Sequence, residues 1–212
     1  MFDSVRHVVW DWNGTLLDDA WLCVEVMDGL LRARGLPGLD IARYQDLFGF
    51  PVRDYYRRLG FDFDKETFEV VGAEFIEGYQ TRQHECRLQE GAGVVLAALA
   101  ERGIGCSVLS ASEQARLLAQ ASRLGVRSSF VGMLGLSDHW AGGKLENGRR
   151  WIAELGQDPR EVLLVGDTDH DCEVAREIGV RCALIPSGHQ SAARLRALGA
   201  PVLDSLSALL SW

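Results

Sequence analysis

Short apolar runs alternate with longer stretches of helical periodicity over the second part of the chain. From Gly91 onward this pattern predicts strands at Gly105–Leu109, Phe130–Leu134, Val162–Val165, Arg181–Ile185 and Pro201–Leu203. Helices are predicted at Val94–Arg102, Glu113–Leu124, Glu146–Leu155, Cys172–Ile178 and Gln190–Leu198, with one more at the end of the chain. Continuous apolar strands separated by helices indicate a parallel sheet covered on both faces. We therefore expect an α/β fold with a doubly wound parallel sheet.

A block without any strand pattern precedes this alternation. Between Asp19 and about Glu85 the pattern predicts only helices, at Ala20–Arg34, Ile41–Leu47, Val52–Leu59 and from about Asp64 to Gln80. We therefore expect an all-helical insert of residues 19–87 in a core made of residues 1–18 and 88–212.

Residues Val8 to Thr15 have the sequence VVWDWNGT, in which a short apolar strand is followed by Asp11 and an Asn-Gly turn. An apolar strand that stops at Asp11 places this carboxylate at the sheet edge where open α/β folds bind ligands. A hairpin is an equally good interpretation, because Asn-Gly between apolar runs is a strong turn signal. This stretch alone leaves both interpretations open.

Polar residues also follow three later strands, where we find Ser110, Lys144 and the acidic turn Asp167-Thr168-Asp169-His170-Asp171. Each has a structural explanation of its own: Ser110 and Glu113 fit a helix capping box, Lys144 a solvated loop, and the aspartates a helix cap. The carboxyl ends of parallel strands, however, meet at one edge of the sheet. Four such positions on one edge favour a single site that includes Asp11.

Composition narrows the class of partner. The net charge of −8 argues against nucleic acid and against an anionic membrane surface. Five cysteines without CxxC spacing indicate reduced thiols, and no apolar run approaches the ~20 residues that span a bilayer. The N-terminus has no signal-peptide pattern. We expect a cytoplasmic protein, a monomer, whose partner is a small molecule.

Taken in order, the motifs resemble those of the haloacid dehalogenase-like hydrolase superfamily, and within it the phosphoglycolate phosphatase and β-phosphoglucomutase type with a helical cap. Asp11-Trp12-Asn13-Gly14-Thr15 is similar to the family's Asp-x-Asp-Gly-Thr motif. Ser110 and Lys144 match its second and third motifs, and the run from Gly166 to Asp171 is similar to the fourth. The resemblance implies a Rossmann-like core, with the cap at residues 19–87.

The resemblance also implies an activity, that of a Mg²⁺-dependent phosphatase acting on phosphoglycolate or on a sugar or nucleotide monophosphate. Asp11 would attack phosphorus and form an aspartyl-phosphate. Asp11, Asp167 and the main-chain carbonyl of Asn13 would hold Mg²⁺, with Asp171 in support. Substrate contacts are implied for Thr15, Ser110 and the backbone N–H of Ala111, and charge neutralisation for Lys144. Arg53 is a candidate leaving-group contact, although a solvated helix-face arginine is an equal alternative.

Asn13 departs from the family pattern. The family's phosphatases carry an aspartate there, which protonates the leaving oxygen and later activates water; an amide does neither. Three hypotheses stay open: a slow phosphatase, a low-activity or inactive relative that binds a phosphoryl ligand or a protein, and a phosphotransferase. Asp18, Asp19 and His170 are candidates for the missing proton transfer. We expect Asn13→Asp to raise turnover, more on alkyl than on aryl esters.

Overall fold

The computed structural model describes residues 4–136 and 144–211. Its strands are β1 (His7–Trp10), β2 (Leu17–Asp18), β3 (Arg87–Leu88), β4 (Gly105–Glu113), β5 (Gly132–Leu136), β6 (Val162–Gly166) and β7 (Arg181–Leu184). Five of them form a parallel sheet in the order β5-β4-β1-β6-β7. The predicted strand at Pro201–Leu203 is reduced to a single bridge between Leu184 and Val202.

The helices are α1 (Ala20–Ala33), α2 (Ile41–Leu47), α3 (Val52–Leu59), α4 (Phe68–Arg82), α5 (Ala92–Glu101), α6 (Gln114–Arg123), α7 (Lys144–Leu155), α8 (Asp169–Ile178) and α9 (Ala192–Arg196). Short 3-10 helices lie at Gln83–Glu85, Arg127–Ser129, Pro159–Glu161 and Leu206–Ser211, and the last of these replaces the predicted terminal helix. Across residues 4–136 and 144–211, no helix has the length and apolar character that crossing a bilayer requires.

The central strand β1 is buried on both faces of the sheet. Val8 and Trp10 belong to one apolar cluster, and Val9 between them belongs to another, because successive side chains of a strand point to opposite faces. α5 and α6 contribute to the first cluster, and α7 and α8 to the second. Helices therefore cover both faces, which confirms the predicted doubly wound α/β class.

Four helices, α1 to α4, occupy the chain between β2 and β3. β2 and β3 pair antiparallel, with Asp18 opposite Arg87, so the chain enters and leaves the helical segment at neighbouring points. The predicted boundaries of the helical insert fall at this two-stranded ladder. The division into a core and an insert of residues 19–87 stays a prediction.

β4 extends four residues beyond its predicted end at Leu109. Its register against β5 shifts between Leu109 and Glu113, so the segment between them is irregular strand and not the start of a helix. The Glu113 side chain accepts hydrogen bonds from the backbone N–H groups of Ala115 and Arg116, and α6 begins there. The capping-box explanation of Ser110 is therefore wrong.

Candidate active site

Three aspartates meet at the carboxyl edge of the sheet. Asp11 directly follows β1, and its N–H donates to the carbonyl of Val165 in β6 over 2.8 Å. One carboxylate oxygen from each of Asp11, Asp167 and Asp171 lies within 4.8 Å of the others, and all three residues are buried. The structure thus brings together the carboxylates that the strand ends predicted.

Lys144 lies between two of these carboxylates. It is the first residue of α7, and only 3% of it is exposed. Its Nζ donates to Asp11 Oδ1 over 2.5 Å and to Asp171 Oδ1 over 2.6 Å. Although burial disfavours the ammonium, Asp11 and Asp171 raise the pKa of Lys144 above its usual range, so it stays charged. The explanation of Lys144 as a solvated loop residue is wrong.

The two carboxylate oxygens of Asp171 have different hydrogen-bond partners. Oδ1 binds Lys144, whereas Oδ2 accepts from the Thr168 hydroxyl over 2.7 Å and from the Thr168 N–H over 3.0 Å. Thr168 and Asp171 form a capping box at the start of α8, which begins at Asp169 and not at the predicted Cys172. Burial alone would raise the pKa of Asp171, but Lys144 and Thr168 hold it below its usual range. The helix-cap explanation is therefore correct for Asp171, and it coexists with the ion pair.

Thr15 joins the other two carboxylates. Its hydroxyl lies 2.9 Å from Asp167 Oδ1 and 3.4 Å from Asp11 Oδ2. The backbone N–H of His189 donates to Asp167 Oδ2 over 2.6 Å. Burial raises the pKa of Asp167 to about 6, against the opposing effect of His189. The predicted contact of Thr15 with a phosphoryl oxygen stays a prediction.

The turn after Asp11 packs directly against Asp167. Gly14 has φ +76°, and a Cβ atom on it would lie 2.3 Å from Asp167 Oδ2. The N–H groups of Leu16 and Leu17 both donate to the carbonyl of Trp12, which closes the turn. Because β1 pairs in parallel with β4 and β6, the turn does not join β1 into a hairpin. Of the two interpretations of this stretch, the one with a strand end at the sheet edge is correct.

The remaining predicted contacts lie in two places. Ser110 is buried in the irregular part of β4, where its hydroxyl accepts from the Ser112 N–H over 3.0 Å, and Ala111 beside it is partly exposed. Both residues lie just beyond the part of β4 that is beside Asp11. Their contacts with phosphate stay predictions. Arg53 is exposed and its guanidinium lies 5.5 Å from the centre of the Phe63 ring. That position matches the helix-face alternative, and the leaving-group contact stays a prediction.

A hydrogen-bonded network around Asn13 includes residues that sequence reasoning had not joined to it. Asn13 Nδ2 donates to Asp19 Oδ2 over 2.6 Å, and Ser112 Oγ donates to Asn13 Oδ1 over 2.6 Å. The Tyr79 hydroxyl donates to Asp19 Oδ2 over 2.7 Å, and the Gly14 N–H to Asp19 Oδ1 over 2.8 Å. The sequence indicates Asp19 only as one of three candidates for proton transfer, and no sequence pattern indicates Tyr79 or Ser112.

The loop after β7 is a second feature that was missed. His189 Nδ1 lies 2.8 Å from the Tyr44 hydroxyl of α2, and Gln45 Nε2 donates to the Gly188 carbonyl over 2.8 Å. Gly188 also packs so closely that a Cβ atom would lie 2.1 Å from Asp167 Oδ2. This loop follows a parallel strand, so the same argument from strand ends would have placed it at the site edge.

A sequence model of the haloacid dehalogenase-like hydrolase family matches residues 8–185. The chain belongs to this family. N-acetylmuramic acid 6-phosphate phosphatase of Pseudomonas aeruginosa is 28% identical to this haloacid dehalogenase-like hydrolase over 192 residues, which cover 87% of the chain and 83% of the relative. Phosphoglycolate phosphatase of Synechococcus elongatus is 26% identical over 192 residues, covering 87% of the chain and 85% of the relative.

The fold is also that of solved structures. A haloacid dehalogenase-like hydrolase from Streptococcus pneumoniae, SP0104, superimposes with a TM-score of 0.84 at 18% identity, covering 98% of each chain. The similarity at this level of identity shows a shared fold. Together with the family match, it confirms the predicted superfamily and the predicted class of enzyme, a hydrolase.

The donor set of this haloacid dehalogenase-like hydrolase fits a hard divalent cation. Within the described residues, Lys144 is the cationic side chain that hydrogen-bonds to Asp11, Asp167 or Asp171. Three carboxylates and one ammonium leave net negative charge in a buried place, which a cation would offset. All the donors are oxygens, the ligands that Mg²⁺ prefers. The main-chain carbonyl of Asn13 as a further ligand stays a prediction.

Proposed function

We propose that this protein is a Mg²⁺-dependent phosphatase that hydrolyses a small phosphorylated metabolite through an aspartyl-phosphate on Asp11. The observation that carries this proposal is the asymmetric environment of the Asp11 carboxylate. Oδ1 is held by the Lys144 ammonium, whereas among the described residues Oδ2 has only the long contact with Thr15. Oδ2 is therefore the oxygen that attacks phosphorus.

The chain's own groups define the two steps. Asp11 Oδ2 forms a bond to phosphorus as the bond between phosphorus and the ester oxygen breaks, which gives an acyl phosphate and an alkoxide. The alkoxide takes a proton from solvent water and leaves as the alcohol. Water then attacks phosphorus, the bond between phosphorus and Asp11 Oδ2 breaks, and inorganic phosphate leaves while the proton goes to solvent and the carboxylate is restored. Lys144 keeps Asp11 oriented throughout, and Thr15 and the His189 N–H keep Asp167 in place. Bound Mg²⁺ would supply charge neutralisation for the phosphoryl oxygens.

The substrate class follows from the relatives. The two named above are phosphatases of phosphoglycolate and of N-acetylmuramic acid 6-phosphate. Both substrates are small polar phosphate monoesters, and we propose a substrate of the same class. The five cysteines are free thiols, which supports a reducing compartment such as the cytoplasm.

The test is hydrolysis of a panel of phosphate monoesters with Mg²⁺ and with a chelator. Asp11→Asn should fold normally and lose turnover, because an amide is a poor nucleophile. The control is Asp64→Asn, which removes an exposed carboxylate in the loop before α4. Mg²⁺-dependent turnover in Asp11→Asn would contradict the role of Asp11. A wild-type protein that hydrolyses no ester of the panel but binds phosphate would favour the inactive-relative hypothesis.

A second candidate is phosphoryl transfer to an acceptor other than water. It is favoured by Asn13, whose amide is held at both ends and supplies no base for activating water. The test is the partition of the phosphoryl group between water and an added alcohol. A product ratio that exceeds the molar ratio of the two acceptors would favour a phosphotransferase.

A further inference from the structure

The contact between Asn13 and Asp19 is a hydrogen bond with a fixed direction. Asn13 Nδ2 lies 2.6 Å from Asp19 Oδ2 and 3.2 Å from Tyr79 Oη, and Tyr79 Oη lies 2.7 Å from the same Asp19 oxygen. A carboxylate only accepts, so both the amide and the phenol donate to Asp19. The phenol oxygen then accepts the second amide proton. Each donor of this triangle thus has an acceptor.

The outer sides of the triangle are fixed as well. Ser112 Oγ donates to Asn13 Oδ1, and the Gly14 N–H donates to Asp19 Oδ1. Asp19 is the N-cap residue of α1, but its side chain makes no cap hydrogen bond to that helix. The residue is 0% exposed. Its carboxylate therefore serves the loop that carries Asp11, and not its own helix.

We propose that positions 13 and 19 are a matched donor–acceptor pair. Asp19 is a positioning residue, and its carboxylate requires a hydrogen-bond donor, an amide, at position 13. A carboxylate at position 13 would lie at hydrogen-bonding distance from Asp19 with no donor between the two oxygens. Tyr79 has one hydroxyl proton and cannot satisfy both groups. Two like charges at this distance in a buried place repel strongly.

Exchanging the two residues restores every hydrogen bond. In Asn13→Asp/Asp19→Asn the amide at position 19 donates to the carboxylate at position 13 and to the Tyr79 oxygen. The Tyr79 proton then turns to position 13, while Ser112 Oγ donates there as before. The new amide oxygen still accepts from the Gly14 N–H. The three groups keep their positions, and the hydrogen bond between positions 13 and 19 is donated from position 19.

This pairing changes the expectation drawn from the sequence for Asn13→Asp. The single substitution should not raise turnover, because the new carboxylate is driven away from its neighbour and from its place in the site. The exchanged pair should raise it, because the carboxylate is then held where the amide lies now. This catalytic part rests on the proposed phosphatase function, whereas the pairing itself does not.

The experiment compares wild type with Asn13→Asp, Asp19→Asn, and Asn13→Asp/Asp19→Asn. The matched control is Asn13→Asp/Asp18→Asn, which removes the neighbouring carboxylate that makes no hydrogen bond to Asn13. The readouts are Tm, and kcat and KM on one alkyl and one aryl phosphate. Asn13→Asp and the control should melt lower than wild type by roughly 5 °C or more, and the exchanged pair close to wild type.

On the alkyl phosphate the exchanged pair should show kcat at least ~10²-fold above wild type, with a smaller change in KM and a smaller gain on the aryl ester. A purely structural role of Asp19 would restore Tm without this gain. Equal Tm values for Asn13→Asp and the exchanged pair would overturn the pairing, as would failure of both to fold. If Tm recovers but none of the proteins hydrolyses any ester, the pairing stands and the phosphatase function fails.

Discussion

The two lysines of the chain lie in opposite environments. Lys144 is 3% exposed between Asp11 and Asp171, whereas the Lys65 side chain is 83% exposed and lies 3.0 Å from Asp62. Lys144→Met should destabilise the fold by about 3–5 kcal/mol and abolish turnover, because it leaves two buried carboxylates without their cation. Lys65→Met should change stability by less than about 0.5 kcal/mol. Urea unfolding at pH 7 measures the change in stability of both variants. Equal changes would contradict the buried ion pair.

We expect the stability of the protein to depend on pH because of His7. It is buried at the start of β1, where its Nε2 lies 2.8 Å from Ser107 Oγ, and burial lowers the pKa of His7 to about 4. Between pH 6.5 and 4 the unfolded chain binds a proton that the folded chain does not. The free energy of unfolding therefore falls as the pH drops through this range, by up to about 1.4 kcal/mol per pH unit from this residue.

His7→Gln should flatten this slope between pH 6.5 and 4, because glutamine does not titrate. The control is His84→Gln, at an exposed histidine in the 3-10 helix Gln83–Glu85. The measurement is urea unfolding at several pH values in this range. A slope that is the same in His7→Gln and wild type would show that another group causes the acid sensitivity.

The residues of the site divide into those that strand ends predict and those that tertiary packing decides. Asp11 and Asp167 could be placed from sequence because each follows a buried parallel strand, and Ser110 because it follows the regular part of one. Tyr79 could not, because it reaches Asp19 only when α4 lies against α1. Its position in the sequence of α4 indicates only an apolar residue on the buried face of a helix. The direction of the Asp19 side chain was equally hidden, since an aspartate before a helix normally caps that helix.

At the scale of elements, the turn from Trp12 to Leu17 is the most tightly constrained. Gly14→Ala should be severe, because a Cβ atom at φ +76° would also lie 2.3 Å from Asp167 Oδ2. Gly35→Ala is the control, since Gly35 has φ +67° but no atom within 4 Å of the added Cβ. Strain alone should cost about 1–2 kcal/mol at Gly35, and the overlap at Gly14 about 1–3 kcal/mol more.

Urea unfolding of the two alanine variants gives this difference directly, and phosphatase assays give its effect on the site. Turnover should be lost in Gly14→Ala and kept in Gly35→Ala. Equal destabilisation of both variants would mean that the close approach to Asp167 relaxes without cost.

The extents of elements were harder to predict than their order. The segment Ser110–Ser112 reads as a strand end followed by a cap, yet β5 continues to pair with β4 as far as Glu113. α4 was predicted to begin near Asp64 and begins at Phe68, because the Thr67 side chain accepts from the Val70 N–H there. In both cases a cap decides the boundary, and several residues nearby could have supplied it.

At the scale of the whole molecule, Arg194 of α9 connects the core to the helical segment. Its guanidinium donates to the carbonyls of Gln45 and Asp46 over 3.1 Å each and to that of Phe48, at the C-terminal end of α2. It also lies 3.0 Å from Asp169 Oδ2, beside the acidic turn of the site. Cations stabilise the unpaired carbonyls at a helix end. Arg194 therefore holds this end of the helical segment against the core.

Arg194→Met should loosen that contact without unfolding either part. Amide hydrogen exchange in residues 44–50 should speed up by roughly tenfold or more, since charged hydrogen bonds are lost. The control is Arg196→Met on the same helix, where the side chain is 60% exposed and lies 3.6 Å from Asp204. Exchange that is unchanged in Arg194→Met would show that other contacts close the segment.

The position of β1 in the middle of the sheet also sets an order of events during synthesis. His7 pairs with Gly105 on one side and with Val162 on the other, so β1, once made, waits for partners that are encoded far downstream. At roughly 5–20 residues per second this wait lasts several seconds to tens of seconds. The helices between β2 and β3 make local contacts and form within that time. Asp11 is thus made long before it reaches its final surroundings, because Asp167 and Asp171 arrive only with β6 and α8.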